Sequence, residues 1–337
     1  MIRVVRVRDA VGLKLAHDYT CVEPWFKGAV KKRGEVVSES DVELLEKCGH
    51  YYVYVYDEEP HRPGYLHEVE AVKRLGEAIS GSGLRVKEAE EGKAYVVAEE
   101  SGLLVVDSEG LKKINSTGVF VVVTRRTGSF LRKGDLAGVV DLVPLEVPET
   151  YLEQLIEELK PRLPLLRLYK SKHPRVGVIA TGTEIVEGLK KDLATPIVAK
   201  KIQEYECILG RTLYARDDLG EISEKILELL EDHDAVVLVG GMSVDPTDLT
   251  PQAIRQVADE VVAYGIPIKP NTMSMIAYKG DKAVIGVPAS IIYYSEENAL
   301  DLLLPWVSAG VKITRDYLVG LGEGGMMSSF LSKLKKS

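Results

Sequence analysis

Regular alternation between apolar strands and helices over residues 173–304 is the feature that most restricts how this chain can fold. Helix-type segments separate apolar runs at residues 176–180, 211–215, 235–239, 261–268 and 283–287. Thr195-Pro196 and Thr250-Pro251 predict two helix starts, each with the threonine hydroxyl as the cap and proline at the first helical position, where its missing N–H costs nothing. A last helix is expected over residues 290–304. This pattern predicts an α/β fold, a three-layer α/β/α domain with a largely parallel sheet.

The first 150 residues follow a different pattern. Short β-type runs at residues 52–56, 94–98 and 119–124 are separated by glycine turns. Helices are expected over residues 41–47, with Ser40 or Asp41 as the cap, and from Gly64 to about Ile79. The expected domains are a β-rich N-terminal region 1–150, with a further division into 1–57 and 58–150 as an alternative, a helical linker 151–172, the α/β domain 173–311 and a C-terminal tail 312–337.

The charge balance and the lack of long apolar runs exclude two classes of partner. The formal net charge is -8, whereas a nucleic-acid-binding protein needs a clustered basic surface to neutralise phosphates. No apolar run reaches the roughly 20 residues of a membrane helix, and the first residues read as an alternating strand rather than a signal peptide. We expect a cytoplasmic protein that binds neither nucleic acid nor membrane.

The three cysteines are far apart in the sequence. Cys21, Cys48 and Cys207 form no CxxC motif and no Cys/His pair, so we expect neither a disulfide framework nor a zinc site, and interpret all three as buried apolar side chains. Asn and Gln are scarce while Glu and Lys are plentiful. That bias is typical of heat-adapted proteins and suggests a thermophilic source.

Ligands of open α/β sheets bind beyond the carboxyl ends of the strands, which indicates where the chemistry lies. The segments that follow the predicted strands are rich in small, hydroxyl and acidic residues: Thr181-Gly182-Thr183-Glu184, Asp217-Asp218, the run from Gly240 to Asp248, and Pro288-Ala289-Ser290. Glycines allow a ligand to approach the backbone, and amides at helix starts favour anions. Acids beside a phosphate suit Mg²⁺.

A simpler interpretation exists for each of these segments taken singly. Gly-Gly after a strand is often only a tight turn, and Asp before a helix is often only a cap. Four such segments meeting at one edge of the sheet favour a binding site over the simpler interpretation.

Two motifs carry a resemblance to a known family. Ala180-Thr181-Gly182-Thr183-Glu184-Ile185, together with the segment from Gly240 to Val244 followed by Asp248, resembles the molybdenum-cofactor biosynthesis domain of molybdopterin adenylyltransferases and molybdotransferases. The likeness covers roughly residues 174–311. Upstream, residues 11–18 resemble the opening segment of molybdotransferases. A weaker likeness, in Lys31-Lys32-Arg33-Gly34 with Asp41, is to the β-rich part that precedes the pterin domain in stand-alone molybdopterin-binding proteins.

The resemblance implies a protein that binds molybdopterin or its adenylylated form, in the biosynthesis or insertion of the molybdenum or tungsten cofactor. Mg²⁺ and molybdate or tungstate are the further ligands implied. The implied cofactor-binding residues are Thr181, Gly182, Thr183, Gly240, Gly241, Ser243, Lys269, Pro288 and Ser290. The implied catalytic residues are Asp248 and Glu184, and the implied Mg²⁺ ligands are Asp217, Asp245 and Asp248. Relatives form dimers or trimers, so we expect a homodimer, with a molybdenum or tungsten enzyme as the recipient.

Departures from the family pattern weaken the case for catalysis. Thr183 stands where molybdotransferases usually have Asp, and the usual Gly-acid pair of the second motif is Asp245-Pro246. The segment Lys269-Pro270-Asn271-Thr272-Met273 lacks a second Lys and a Gly of the family's Lys-Pro-Gly-Lys-Pro. Metal insertion is therefore less strongly indicated than binding.

Two alternatives remain at this point: a cofactor carrier or sensor without catalysis, and a nucleotide pyrophosphatase on the same fold. His17, His173 and His233 have no partner acid at a recognisable spacing, so solvated or capping roles are expected for them. Tyr293 and Tyr294 are expected on an apolar helix face.

Overall fold

The computed structural model describes residues 2–24, 26–56, 62–88 and 92–334. The strands are β1 (Ile2–Arg6), β2 (Tyr19–Glu23), β3 (Phe26–Lys31), β4 (Tyr52–Tyr56), β5 (Tyr65–His67), β6 (Leu84–Glu88), β7 (Lys93–Ala98), β8 (Gly102–Val106), β9 (Phe120–Thr124), β10 (Ser129–Leu131), β11 (Leu136–Leu142), β12 (Glu146–Pro148), β13 (Leu166–Lys170), β14 (Arg175–Thr181), β15 (Ile208–Ala215), β16 (Ala235–Val239), β17 (Glu260–Tyr264), β18 (Met275–Lys279) and β19 (Lys282–Val287).

The helices are mostly short. They are α1 (Glu39–Lys47), α2 (Glu68–Ile79), α3 (Ser108–Asn115), α4 (Glu149–Leu159), α5 (Thr183–Val186), α6 (Thr195–Glu204), α7 (Leu219–Asp232), α8 (Thr250–Val257), α9 (Leu300–Ala309), α10 (Arg315–Gly320) and α11 (Ser328–Leu334), with 3₁₀ turns at Val7–Ala10 and Ala289–Tyr293. Among the described residues, no helix combines the length and apolarity that crossing a membrane requires.

A six-stranded sheet forms the centre of the C-terminal half, in the order β15-β14-β16-β19-β18-β17. The first four of these strands are parallel, and β18 runs antiparallel to both of its neighbours. Every residue of β16 is buried, as a strand covered on both faces requires. One core cluster contains residues of α6 and α9 and the other contains residues of α7 and α8. The predicted three-layer α/β/α domain is confirmed.

Two expectations about the elements of this domain were wrong. The apolar run 261–268 is a strand only as far as Tyr264, and β18 was not predicted. The expected helix 290–304 is a 3₁₀ turn and then α9, because the Asn298 side chain accepts the N–H of Leu300 and starts a new helix there. Strand β18 is a short continuous run of buried residues without alternation, and such a run gives no periodic signal that identifies a strand.

Both Thr-Pro dipeptides begin helices as predicted, but their hydroxyls do not act as caps. Asp192 accepts the N–H groups of Ala194 and Thr195 at the start of α6. Thr250 opens α8, and its hydroxyl donates to the carbonyl of Gly240 at 3.0 Å. The second hydroxyl is therefore used to hold the loop after β16.

The N-terminal half is β-rich, as predicted. A four-stranded antiparallel sheet β6-β7-β11-β9 packs against the apolar face of α2, and two-stranded sheets join β1 with β4 and β2 with β3. Helix α1 starts two residues earlier than expected. Its cap is Ser38 rather than Ser40 or Asp41, and Asp41 closes a capping box with it.

Two compact units make up the chain. One contains residues 1–100, 106–126 and 132–168, and the other contains residues 101–105, 127–131 and 169–337. The second unit therefore takes most of β8 and all of β10 from the N-terminal half. Leu103 of β8 belongs to the core cluster of the large sheet, and Phe130 of β10 meets Tyr205 edge to face. The boundaries predicted at residues 150, 172 and 311 stay a prediction.

The expectation that the cysteines form no disulfide was wrong. Cys21 in β2 and Cys48 at the end of α1 are joined by a disulfide across 27 positions of sequence. Cys207 is a free thiol, and burial raises its pKa to about 12. Linear spacing does not reveal such a pair, because the fold brings a strand and a helix end together.

The disulfide should stabilise the first unit by restricting its unfolded chain. Closing a loop of this length is worth about 3 kcal/mol, so Cys48→Ser should lower the free energy of unfolding by about that amount. Denaturant unfolding of the full chain, with and without reductant, measures the effect. The variant should not respond to reductant.

A thiol count provides the control. Of the three cysteines in the sequence, only Cys207 should react after denaturation without reductant. Three reactive thiols under those conditions would show that the disulfide does not form.

Candidate functional site

A cavity of about 600 Å³ lies in the second unit, lined by residues that follow β14, β15, β16 and β19. Its volume is within the range of small-molecule sites. The lining residues are Thr181, Gly182, Glu184, Ile185, Asp217, Gly240, Gly241, Met242, Ser243, Thr247, Asp248, Lys269, Asn271, Thr272, Met273, Pro288, Ala289 and Ser290.

Most of the predicted site residues meet in this cavity. Thr183 and Asp245 are the exceptions, since neither is among its lining residues. Thr183 instead donates to Asp217, from its N–H at 2.9 Å and its hydroxyl at 3.0 Å. Thr183 therefore orients a carboxylate of the cavity from outside.

The turn after β16 is built from two glycines in left-handed conformations. Gly240 has φ +105° and Gly241 has φ +58°. A methyl group on Gly240 would lie 2.6 Å from the carbonyl oxygen of Thr181, and one on Gly241 would lie 2.6 Å from Oγ1 of Thr250. We expected these glycines to give a ligand room, but the atoms that exclude a side chain belong to the protein itself. The glycines are required for the turn.

Two hydroxyls hold this turn in place. Oγ1 of Thr181 lies 3.2 Å from Oγ1 of Thr250, and Thr250 donates to the carbonyl of Gly240. Both threonines are buried. The Thr181 hydroxyl, expected to contact a ligand, is thus engaged within the protein.

Two backbone N–H groups of the glycine turn belong to residues that line the cavity. Within the described part of the chain, the N–H groups of Gly241 and Met242 have no acceptor. Met242 is only 1% exposed. Because a buried N–H without a partner is costly, this position suits an acceptor from a ligand or from water.

Three carboxylates line the cavity, and each has a partner within the protein. Asp217 accepts from Thr183, and Asp248 accepts the N–H of Ser243 at 2.6 Å. Glu184 has a pKa below its usual value, because its carboxylate accepts a hydrogen bond from its own backbone and lies 3.3 Å from the Lys190 ammonium. The neighbouring Asp218 does not line the cavity and caps α7 by accepting the N–H of Glu221.

The structure does not bring the three predicted Mg²⁺ ligands together. Asp245 is exposed and is not a lining residue, and Thr247 donates to it from its N–H and its hydroxyl and lowers its pKa. Across residues 2–334, leaving out the undescribed positions, no group of three His, Cys, Asp or Glu side chains is arranged for a metal ion. Asp217 and Asp248 remain in the cavity and could hold Mg²⁺ only with further oxygen ligands from the bound molecule.

The loop after β17 brings a cation and a left-handed asparagine to the cavity. Lys269 is exposed, and its ammonium makes no hydrogen bond or ion pair with any described residue. Asn271, with φ +65°, donates from Nδ2 to Ser290 Oγ at 3.1 Å and accepts the N–H of Ala299. That amide joins the loop after β17 to the loop after β19.

Sequence reasoning missed several lining residues. They are Ile185, Met242, Thr247, Asn271, Thr272, Met273 and Ala289. Asn271 had a usable signal, since Asn is the residue that most readily replaces Gly in a left-handed conformation. The apolar members lie within the recognised motifs but gave no chemical signal of their own.

Two histidines and one tyrosine outside the cavity differ from their expected environments. His17 was expected to lack a partner acid, but its Nδ1 lies 3.0 Å from Oε1 of Glu68 in the first unit. His233 is buried and accepts the N–H of Arg211, and its Nδ1 lies 2.7 Å from Oδ1 of Asp232, so the expectation of no partner acid was wrong for it too. Tyr293 ends the 3₁₀ turn and is exposed, so it is not the core aromatic that was expected.

A family model matches the part of the chain that contains the cavity. Residues 177–308 match the family described as "Probable molybdopterin binding domain". These residues belong to the molybdopterin-binding domain family. They include all four segments of the cavity rim. Residues 4–57 match a second family, "Domain of unknown function (DUF8806)".

Curated relatives match over the same part of the chain. The molybdopterin molybdenumtransferase of Staphylococcus aureus is 27% identical over 123 residues, which are 34% of this chain and 29% of that protein. The Staphylococcus epidermidis protein of the same name is 23% identical over 124 residues, 35% of this chain and 30% of its own length. The chain thus spans less than a third of these relatives.

Solved structures of similar proteins were also found. The molybdopterin biosynthesis enzyme MoaB of Thermus thermophilus has a TM-score of 0.36 and 18% identity, covering 44% of this chain and 97% of that one. The tungsten cofactor synthesizing protein MoaB of Pyrococcus furiosus has a TM-score of 0.31 and 15% identity, covering 46% and 98%. The protein CinA of Thermoplasma acidophilum has a TM-score of 0.31 and 20% identity, covering 34% and 88%.

The role of the glycine turn can be tested with a matched pair of substitutions. Gly280 has φ +57°, almost the same as Gly241, but a methyl group there would meet nothing within 4 Å. Gly280→Ala should cost about 1 kcal/mol of unfolding free energy, from backbone strain alone. Gly241→Ala should cost about 3 kcal/mol, because it must also displace Thr250. Equal losses in denaturant unfolding would refute the steric argument.

Proposed function

We propose that this protein binds molybdopterin, free or adenylylated, in the cavity beyond β14, β16 and β19, and acts in biosynthesis or insertion of the molybdenum or tungsten cofactor. The observation that carries the proposal is the pair of N–H groups of Gly241 and Met242 without acceptors at a cavity wall. Two adjacent donors of this kind suit an anionic group such as the pterin phosphate. The family match over residues 177–308 supports the pterin as the ligand.

The remaining wall residues have compatible roles. Lys269 would offset the charge of the phosphate, and Asp217 and Asp248 would hold Mg²⁺ together with phosphate oxygens. Met273 is half-buried at the cavity and supplies polarizable apolar surface for the flat ring system. Glu184 and Ser290 lie at the cavity as additional polar contacts.

Binding is proposed ahead of metal insertion. The loop after β17 presents Thr272 and Met273 to the cavity, so among the described lining residues Lys269 is the one cation. Molybdate or tungstate is an oxyanion, and a single exposed ammonium beside three carboxylates provides little to hold it. A carrier of the finished cofactor is the corresponding non-catalytic form of the proposal.

The direct test is to purify the protein from a host that makes the cofactor, oxidise the sample and measure pterin fluorescence. We expect close to one pterin per chain, and less after chelation of divalent ions. A blank result contradicts the proposal. Turnover of simple dinucleotides with Mg²⁺ would instead support the pyrophosphatase alternative.

A matched pair of carboxylate variants tests the position of the ligand. Asp248→Asn keeps an oxygen that can accept the N–H of Ser243 but removes the charge. Its affinity for molybdopterin in the presence of Mg²⁺ should fall about tenfold, equivalent to about 1.4 kcal/mol. Asp218→Asn is the control, since Asn also serves as a helix cap. Equal affinity of both variants would place the ligand elsewhere.

Several wider statements belong to the same proposal. We propose a homodimer in the cytoplasm of a heat-adapted organism, with a molybdenum or tungsten enzyme as the recipient. A disulfide in such a protein fits this source, because intracellular disulfides are common in hyperthermophiles. Light scattering should give twice the mass of the 37.1 kDa chain. A monomer at all concentrations would contradict the dimer.

A further inference from the structure

Both backbone hydrogen bonds of Lys269 go to one distant segment of the chain. Its N–H donates to the carbonyl of Gly325 at 2.8 Å, and its carbonyl accepts the N–H of Met327 at 2.8 Å. The two contacts form a parallel bridge between Lys269 and Met326. The only unpaired cation among the described cavity residues is therefore held by residues more than fifty positions away.

The same segment is attached to the loop after β19. Ser329 donates from its N–H to Oε2 of Glu297 at 2.9 Å and from its hydroxyl to the Glu297 carbonyl at 2.7 Å. Lys333 donates to the carbonyl of Tyr293. The ring of Phe330 lies against that of Tyr294. Residues 325–334, named here the clamp segment, thus connect the loop that carries Lys269 with residues 293–297, which follow the cavity residues 288–290.

The start of the clamp segment is sterically fixed. A methyl group on Gly325 would lie 2.5 Å from the carbonyl oxygen of Pro267, so the segment passes close against the backbone that leads to Lys269. Met327, the third residue of the segment, is only 9% exposed. These contacts restrict the backbone on both sides of the bridge, at Lys269 and at Met326.

We propose that the clamp segment positions Lys269, so that its ammonium meets the anionic group of the ligand at the cavity mouth. The inference rests on the proposed function and adds to it a part of the chain outside the matched domain, residues 177–308. The clamp segment touches the backbone of Lys269 and not the cavity, so its residues act through Lys269 and not on the ligand. A small shift of a binding group is enough to lower affinity strongly.

A pair of variants at one position separates the hydrogen bond from side-chain packing. Met327→Pro removes the N–H that Lys269 accepts, and Met327→Ala keeps it, while both lose the buried thioether. Helix α11 uses only the carbonyl of Met327, which accepts from Phe330 and Leu331, so proline before its first residue should be tolerated. The full chain is used throughout.

The probe is molybdopterin released from a purified molybdenum enzyme. It is titrated into the protein in the presence of Mg²⁺, and the bound fraction is oxidised and quantified as fluorescent pterin. Relative to Met327→Ala, Met327→Pro should bind about fivefold more weakly or worse. Lys269→Met should bind roughly tenfold more weakly than wild type, because it removes a charge-assisted contact. Circular dichroism and gel filtration confirm that each variant is folded.

A double-mutant cycle decides whether the clamp segment acts through Lys269. In the Lys269→Met background, exchanging Ala for Pro at position 327 should change affinity by less than about twofold, since the positioned ammonium is gone. Raising the salt concentration should also reduce the difference in pterin affinity between Met327→Pro and Met327→Ala, because screening weakens an electrostatic contact at the surface.

The possible outcomes are distinct. If wild type binds no pterin, the proposed function fails. If wild type binds and Met327→Pro equals Met327→Ala, the clamp inference fails while the function stands. If Met327→Pro weakens binding equally with and without Lys269, the segment has only a structural role and the inference is overturned. A Met327→Pro chain that does not fold is replaced by Ser329→Ala, which loosens the segment at Glu297 and should give the same dependence on Lys269.

Discussion

Contact between two threonine hydroxyls underlies the cavity of this protein. Thr181 ends β14 and Thr250 begins α8, and together they enclose the backbone of Gly240 at the end of β16. A strand, a helix and a turn are thereby fixed to one another at one point. The loop that carries Ser243 and Asp248 leaves from that point, so the position of the cavity wall follows from the packing of two small side chains and two glycines.

The charges of the cavity limit what can bind there. Three carboxylates, those of Glu184, Asp217 and Asp248, are hydrogen-bond acceptors there. The Lys269 ammonium and the backbone N–H groups of Gly241 and Met242 are donors. Such a wall repels a bare polyanion and accepts one whose charge is offset by a divalent ion. Affinity should therefore depend on the ion as much as on the organic part of the ligand, which is unlike a site built from arginines.

Local sequence was sufficient for the core of the domain and for the rim. Fully apolar strands such as β16 have a strong pattern, and the rule that ligands bind at strand ends placed Asp217 and Asp248 in the cavity. The disulfide, β18 and the break at Asn298 were not predictable in this way, since each depends on where distant segments meet. The function of the Gly240-Gly241 turn was misjudged for the same reason. The sequence shows that Gly240 and Gly241 have no side chain, but it does not show that a side chain there would collide with Thr181 or Thr250.

Strands β8 and β10 lie in the N-terminal half of the sequence but complete the second unit, to whose core Leu103 belongs. The chain therefore enters the second unit twice, at residues 101–105 and 127–131, before the continuous part of that unit begins at residue 169. During synthesis, residues 101–105 and 127–131 leave the ribosome long before the rest of the second unit, and contacts of such long sequence separation slow folding. A gene fragment that begins at residue 169, where the second unit resumes, would lack Leu103. Recombination at that site would transfer the binding motifs without part of the core that supports them.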